Sequence, residues 1–286
     1  VRDAVTGLTV TLVRGAVTSP FKRAGRSGAT LPSTRVVLPP ARVDPGRLAS
    51  YNRICGFTGP DVLPLTYPHV LGFPPAMRVM AGRAFPLPVL GLVHTWIEIT
   101  GHRPMRPADA PEITVYAQTL TPHRRGTEVT MVTEARLAGE LVWESRSGYL
   151  SRHATGGACA PASARTGGTA TPASGEELPA VAEWRLPGDL GRRYGAASGD
   201  RNPIHLHPLP ARLFGFPRHI AHGMWTVARC LAEAGTDAPG RIRTVRADFR
   251  APVLLPATVT YAAAGSAFEV RGAGRVHLTG RMTREG

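Results

Sequence analysis

Apolar residues in this chain follow two rhythms. Met224, Val227, Ala228 and Leu231 recur at i, i+3, i+4 and i+7, which predicts one buried face of a helix, and Gly235 offers it a C-terminal stop. Met77, Met80, Ala81 and Ala84 keep the same spacing more weakly. Elsewhere β-branched and polar residues mix, as in strands with one wet face: Val93 to Thr100, Ile113 to Gln118, Glu128 to Ala135, Glu140 to Tyr149, Val245 to Arg250, Val259 to Ala262 and Phe268 to Met282.

The order of these elements occurs twice. Leu71-Gly72-Phe73-Pro74 recurs as Phe214-Gly215-Phe216-Pro217, each leading into a helix-like segment and then strands separated by a proline-marked turn, Pro104 to Pro107 or Pro252 to Pro256. Between the halves, residues 154–183 are dominated by Ala, Gly, Thr, Ser and Pro. They hold too little apolar surface to offset ordering entropy, and predict a mobile linker. The expected division is an N-terminal half at 1–153, the linker at 154–183 and a C-terminal half at 184–286. One buried helix followed by antiparallel strands, repeated, predicts an α+β fold in which a sheet wraps each helix.

Composition narrows function only a little. The formal charge of +14 attracts polyanions, but no dense basic run, zinc-finger spacing or aromatic RNA-binding motif accompanies it. Nucleic acid is therefore not expected as a partner; the phosphates of coenzyme A or an acyl carrier protein fit the charge equally well. No apolar run approaches the roughly 20 residues of a membrane span, and the first residues lack a signal-peptide plan. Cys55, Cys159 and Cys230 share no metal or redox spacing. A cytoplasmic protein without membrane attachment is the expectation.

The chemistry concentrates between Tyr194 and Met224. Tyr194, Ser198, Gly199, Asp200, Asn202, Pro203, Ile204, His205 and Ala211 form an aromatic–spacer–small–Gly-Asp-x-Asn-Pro-aliphatic-His pattern, and Ala221-His222-Gly223-Met224 follows. Pro203 fixes its own φ and keeps Asn202 out of the helical region, so the turn can aim Asp200 and His205 at one water molecule. Imidazole titrates near neutrality, where a carboxylate can orient it. Gly223, opening a helix, has an N–H without an acceptor inside that helix and no side chain to keep a ligand away.

This stretch resembles the MaoC-like, or hydratase 2, family; Ala197 is the one departure, where a larger aliphatic residue or Gly is usual. The resemblance implies a double hotdog fold and reversible (R)-specific hydration of trans-2-enoyl thioesters, or dehydration of (3R)-hydroxyacyl thioesters, on coenzyme A or acyl carrier protein. It implies Asp200 and His205 as the catalytic pair, Gly223 as the oxyanion donor, and Asn202 and Ser198 as supporting residues at the substrate. No cofactor and no metal are implied. Setting Asp61 to Thr66 against Asp200 to His205 puts Thr66 in the histidine's place, so the N-terminal half is expected to be a degenerate, acyl-tunnel half. A homodimer of the double unit is a candidate assembly.

Rival readings remain. His205, His207, His219 and His222 crowd beside Asp200, but their spacings match no zinc signature carrying a general base. A hotdog acyl-thioesterase would need only a carboxylate-activated water and an oxyanion donor. A non-catalytic acyl-binding subunit would suit the charge and the linker.

Overall fold

The computed structural model describes residues 29–40, 42–59, 61–155, 177–237 and 240–285. The N-terminal half runs β1 (Arg35–Leu38), α1 (Pro45–Cys55), α2 (Tyr67–Ala81), β2 (Val93–Gly101), β3 (Glu112–His123), β4 (Gly126–Leu137) and β5 (Glu140–Arg152). The C-terminal half runs β6 (Ala180–Leu186), α3 (Leu190–Ser198), α4 (Pro203–Leu206), α5 (Pro208–Leu213), α6 (Gly223–Asp237), β7 (Ile242–Phe249), β8 (Ala257–Ala264), β9 (Ala267–Gly272) and β10 (Arg275–Arg284).

Each half is a five-stranded antiparallel sheet carrying one long helix, and the sheets join edge to edge. The order is β1-β3-β4-β5-β2-β7-β10-β9-β8-β6, ten strands in one sheet, which is the double hotdog plan. At the seam Glu98 pairs with Arg246, flanked by Ile97↔Ala247 and Ile99↔Val245. Strand alternation turns those four apolar side chains to one face, where all are buried, and sends Glu98 and Arg246 to the other, where they form an ion pair at 3.5 Å. A single apolar core runs through both halves.

On α6, Met224, Val227, Ala228 and Leu231 are buried as their spacing predicts. The helix passes through Gly235 to Asp237, so that glycine is not its stop. In the N-terminal half α2 starts at Tyr67, holds Pro74 and Pro75 within it and ends at Ala81, short of Ala84. The long run Phe268 to Met282 is two strands, β9 and β10, turned at Ala273 and Gly274, both with positive φ. Residues 156–176 of the expected linker, and Cys159 with them, lie outside the described residues. The linker's last four positions, Ala180 to Glu183, are strand: they pair with β8, where Ala262, Tyr261 and Thr260 supply the ladder partners their composition gave no sign of.

Backbone hydrogen bonds correct the expected alignment of the halves. His102 and Arg103 both donate to Val142 O, as Arg250 and Ala251 both donate to His277 O. Leu63 N donates to Met105 O, as Ala221 N donates to Val253 O. Even the irregularities match: β2 and β5 pair Trp96↔Gly148, slip, then pair His94↔Tyr149, while β7 and β10 pair Thr244↔Thr283, slip, then pair Ile242↔Arg284. Leu63 therefore stands where Ala221 stands, Pro64 where His222 stands and Leu65 where Gly223 stands. Six residues separate Gly56 from Leu63, but twenty-one separate Gly199 from Ala221. Thr66 is consequently not the counterpart of His205. The N-terminal half lacks the whole segment bearing Asn-Pro-x-His, α4 and α5. The Leu-Gly-Phe-Pro string likewise lies inside α2, whereas Phe-Gly-Phe-Pro is a loop ahead of α6 with Gly215 at φ 83°.

Candidate active site

Helix α3 ends at Gly199, whose φ of 84° reverses the chain straight into Asp200. The turn is held from within. Asp200 N–H donates to Ser198 Oγ at 3.2 Å, and Asn202 N–H donates to Asp200 Oδ1 at 3.1 Å. Asn202 Oδ1 accepts the Ile204 N–H at 3.4 Å as the cap of the short helix α4. The bonds of Ser198 and Asn202 thus fix the turn that carries Asp200.

His205 sits on α4 and is 8% exposed. Its Nδ1–H donates to Ile220 O at 2.9 Å, and Ile220 N–H returns a bond to Ile204 O. That pairing sets the tautomer and leaves the ring's lone pair on Nε2. The carbonyl of His205 lies so close to α3 that a Cβ on Gly191 would fall 1.9 Å from it, so only glycine fits there. Asp200 keeps 27% of its side chain exposed.

His222 enters the site although the sequence gave it no role. It is buried, stacks on His205 with ring centroids 3.7 Å apart, and its Nε2–H donates to Asp200 O at 2.9 Å. The ligand-type atoms of Asp200, His205 and His222 all lie within 4.8 Å of one another. Such a trio invites a metal reading, but ring lone pairs lie in the ring planes. Two imidazoles stacked 25° from parallel do not converge on one ion, and His205 Nδ1 already serves Ile220. The other two histidines of the cluster have structural work. His207 Nδ1 accepts from Leu209 N–H to cap α5, and His219 Nε2–H donates to Gly188 O at 2.6 Å.

Burial sets the charge states. Lost hydration pushes the Asp200 carboxyl up from its ordinary 3.8, opposed by His205 and by the Asn202 N–H. It pushes the His205 imidazole down from 6.5, opposed by Asp200 and the Ile220 carbonyl. His222 is driven down further, by burial and by His205. Near neutrality both imidazoles are therefore neutral, beside a carboxyl that burial has raised.

Gly223 follows immediately as the first residue of α6, partly exposed between buried His222 and Met224. A Cβ there would meet the Phe249 ring at 2.7 to 3.0 Å. The N-terminal half inverts this fit: Leu65 occupies the glycine's place, and Gly101, opposite it, stands where Phe249 stands. The N-terminal half also closes one side of the site. His94 stacks on Tyr149 at 4.6 Å and meets Phe249 at 4.8 Å, and Tyr149 lies near enough to Asp200 for the carboxylate to help raise its hydroxyl's pKa after burial has done most. Arg47 on α1 grips the turn from behind, its Nε–H donating to Ala197 O and its Nη2–H to Ser198 O.

A double hotdog with a carboxyl and an imidazole brought together near a helix start matches the plan of hotdog thioester-processing proteins. The MaoC like domain profile matches residues 172–281. A curated relative, 3-hydroxyacyl-thioester dehydratase X of Mycobacterium tuberculosis, is 37% identical over 230 residues, covering 80% of this chain and 79% of that protein. Its crystal structure superposes with a TM-score of 0.75 at 32% identity, covering 88% of this chain and all of that one. The chain belongs to the MaoC-like dehydratase family. A MaoC-like dehydratase from Phytophthora capsici (TM-score 0.72, 17% identity, 91% and 98% coverage) and an acyl-ACP thioesterase from Bacteroides thetaiotaomicron (TM-score 0.53, 11%, 88% and 97%) share the fold.

Proposed function

We propose that this protein catalyses the reversible hydration of trans-2-enoyl thioesters and the dehydration of (3R)-hydroxyacyl thioesters carried on coenzyme A or acyl carrier protein. The observation that carries the reading is the convergence of Asp200 and His205 within 4.8 Å, with Gly223 opening α6 directly after His222. In hydration, the pair removes a proton from water as its oxygen bonds to C3. The C2=C3 electron pair moves toward the thioester oxygen, and Gly223 N–H, at the positive end of the α6 dipole, stabilises that oxyanion. A proton returned from the pair to C2 restores the thioester. Dehydration runs the same steps backward. His222 serves as a positioning residue that holds the Asp200 backbone and packs the His205 ring.

The family membership and the dehydratase relative support this activity, and an acid–base pair spanning both a carboxylate and an imidazole suits proton transfer between oxygen and carbon. Crotonyl-CoA tests it directly. Loss of the enoyl absorbance without free thiol is the expected result; release of thiol would make the protein a thioesterase, and no change in either would leave it a binding subunit.

A further inference from the structure

The counterpart of the candidate active site in the N-terminal half is an open cavity of about 340 Å³. It lies where the duplicated fold requires, between the Gly56–Leu65 loop, the end of β2 and the end of α6. It is open because the segment that covers the C-terminal site, from His205 through α5, has no equivalent here. Leu65 stands in the place of Gly223, and Pro64 in the place of His222.

What replaced them has a pattern. The register equivalences of the two halves match Arg284 with Tyr149, Arg241 with Val93 and Arg103 with Ala251. Three arginines that line the cavity thus correspond to three neutral residues elsewhere in the duplicated fold. Its floor stayed apolar: Leu63, Leu65, Trp143, Leu231 and Ile242. The cations are held rather than loose. Arg241 forms a two-bonded pair with Glu285, Arg103 reaches Glu140 at 3.5 Å, and Arg284 donates to Gly240 O and Ala234 O. Such bonding presents guanidinium groups in fixed positions at a rim. The size falls at the small end of ligand pockets, which run roughly 300 to 1,000 Å³.

The geometry points to this cavity as a second, non-catalytic site for an amphipathic anion, an acyl chain that lies on the apolar floor with its carboxylate or phosphate-bearing head at Arg103, Arg241 and Arg284. The site is chemically separate from the Asp200–His205 chamber, and the inference stands whatever reaction that chamber performs.

Calorimetric titration with laurate and, in parallel, with lauroyl-CoA tests it and separates the two head groups. Two variants leave the core intact: Val62→Trp, at a half-exposed position on the lining, and Arg103→Glu, at a half-exposed position on the rim. The expected result is binding of at least one ligand to the intact protein, weakened about tenfold or more by each variant, with turnover of crotonyl-CoA unchanged. Laurate binding alone assigns a carboxylate head; a lauroyl-CoA site beyond the one blocked by a crotonyl-CoA product assigns a phosphate-bearing one. Absence of both ligands, or binding that neither variant weakens, would overturn the inference. A melting temperature for each variant confirms that weakened binding is not loss of fold.

Discussion

Arg47 and Ser198 stand 151 residues apart in sequence, yet Arg47 Nη2–H donates to Ser198 O at 2.6 Å. Its Nε–H takes Ala197 O at 2.7 Å, so one guanidinium from the N-terminal half closes the end of α3 just before the turn carries Asp200. A cation at a helix C-terminus satisfies orphan carbonyls and suits the dipole. Arg47→Ala should lower stability by about 1.5–3 kcal/mol. It should also lower kcat more than it raises KM, since the carboxylate loses its placement and not its substrate contacts. Chemical denaturation and steady-state kinetics on the same preparation check both halves of the expectation.

His205→Ala and Asp200→Asn should each reduce crotonyl-CoA hydration by about 10²- to 10⁴-fold, the usual worth of a positioned proton-transfer group. Thr66→Ala should leave most of the activity, because Thr66 stands just before α2 and its hydroxyl only receives the Tyr51 hydroxyl at 2.8 Å, far from the His205 role. Equal losses at Thr66 and His205 would contradict a single centre.

Rate should report the pair's ionisation. Burial raises Asp200 above 3.8 and lowers His205 below 6.5, so the two protonations move toward each other and belong to the coupled pair. The expected profile of kcat/KM drops on an acid limb as the pair takes up its proton. Asp200→Asn should remove the limb as well as most of the rate. An acid limb that persists in Asp200→Asn and lies above 6.5 would contradict an imidazole held down by burial.

Stability should carry a second pH signature. His94 is held down to about 3 and His69 to about 4, in both cases mainly by burial. The unfolded chain takes up their protons near 6.5, and the native state does so only far below. Their contribution is therefore complete above 6.5 and is lost as pH falls toward 4. At pH 5 the loss is about 2 kcal/mol for each such histidine. Asp200, whose native value is raised, opposes this near the bottom of the window. His94→Phe should flatten the fall in melting temperature between pH 7 and 5.

Gly223→Ala places a methyl group against Phe249 and should cost about 1–3 kcal/mol as overpacking. Adding Phe249→Ala should recover the melting temperature without recovering the rate, because the methyl still stands before the amide. Full recovery of rate would remove Gly223 N–H from the mechanism.

Much of this was legible in the residues. The Asp-x-Asn-Pro-x-His spacing needs only local geometry, and Asp200 and His205 lie where such a turn puts them. The face of α6 and most strands follow from periodicity, because half-buried elements must alternate. What stayed hidden depends on distant partners. His222 reads as part of a helix start until the fold stacks it on His205. Arg47 is one of many arginines until α1 meets α3. The relation between the halves misled, since Leu71 to Pro74 and Phe214 to Pro217 share letters but not surroundings. Only ladder bonds such as Leu63 to Met105 and Ala221 to Val253 reveal that a segment is missing.

The shared sheet has a mechanical meaning for the whole chain. With β2 laddered to β7 and one core passing behind them, neither half owns a complete boundary against water. Loosening one exposes Ile97 and Ile99 together with Val245 and Ala247. Heat or denaturant should therefore take the molecule apart in a single cooperative melt, with no stage at which half of it survives alone.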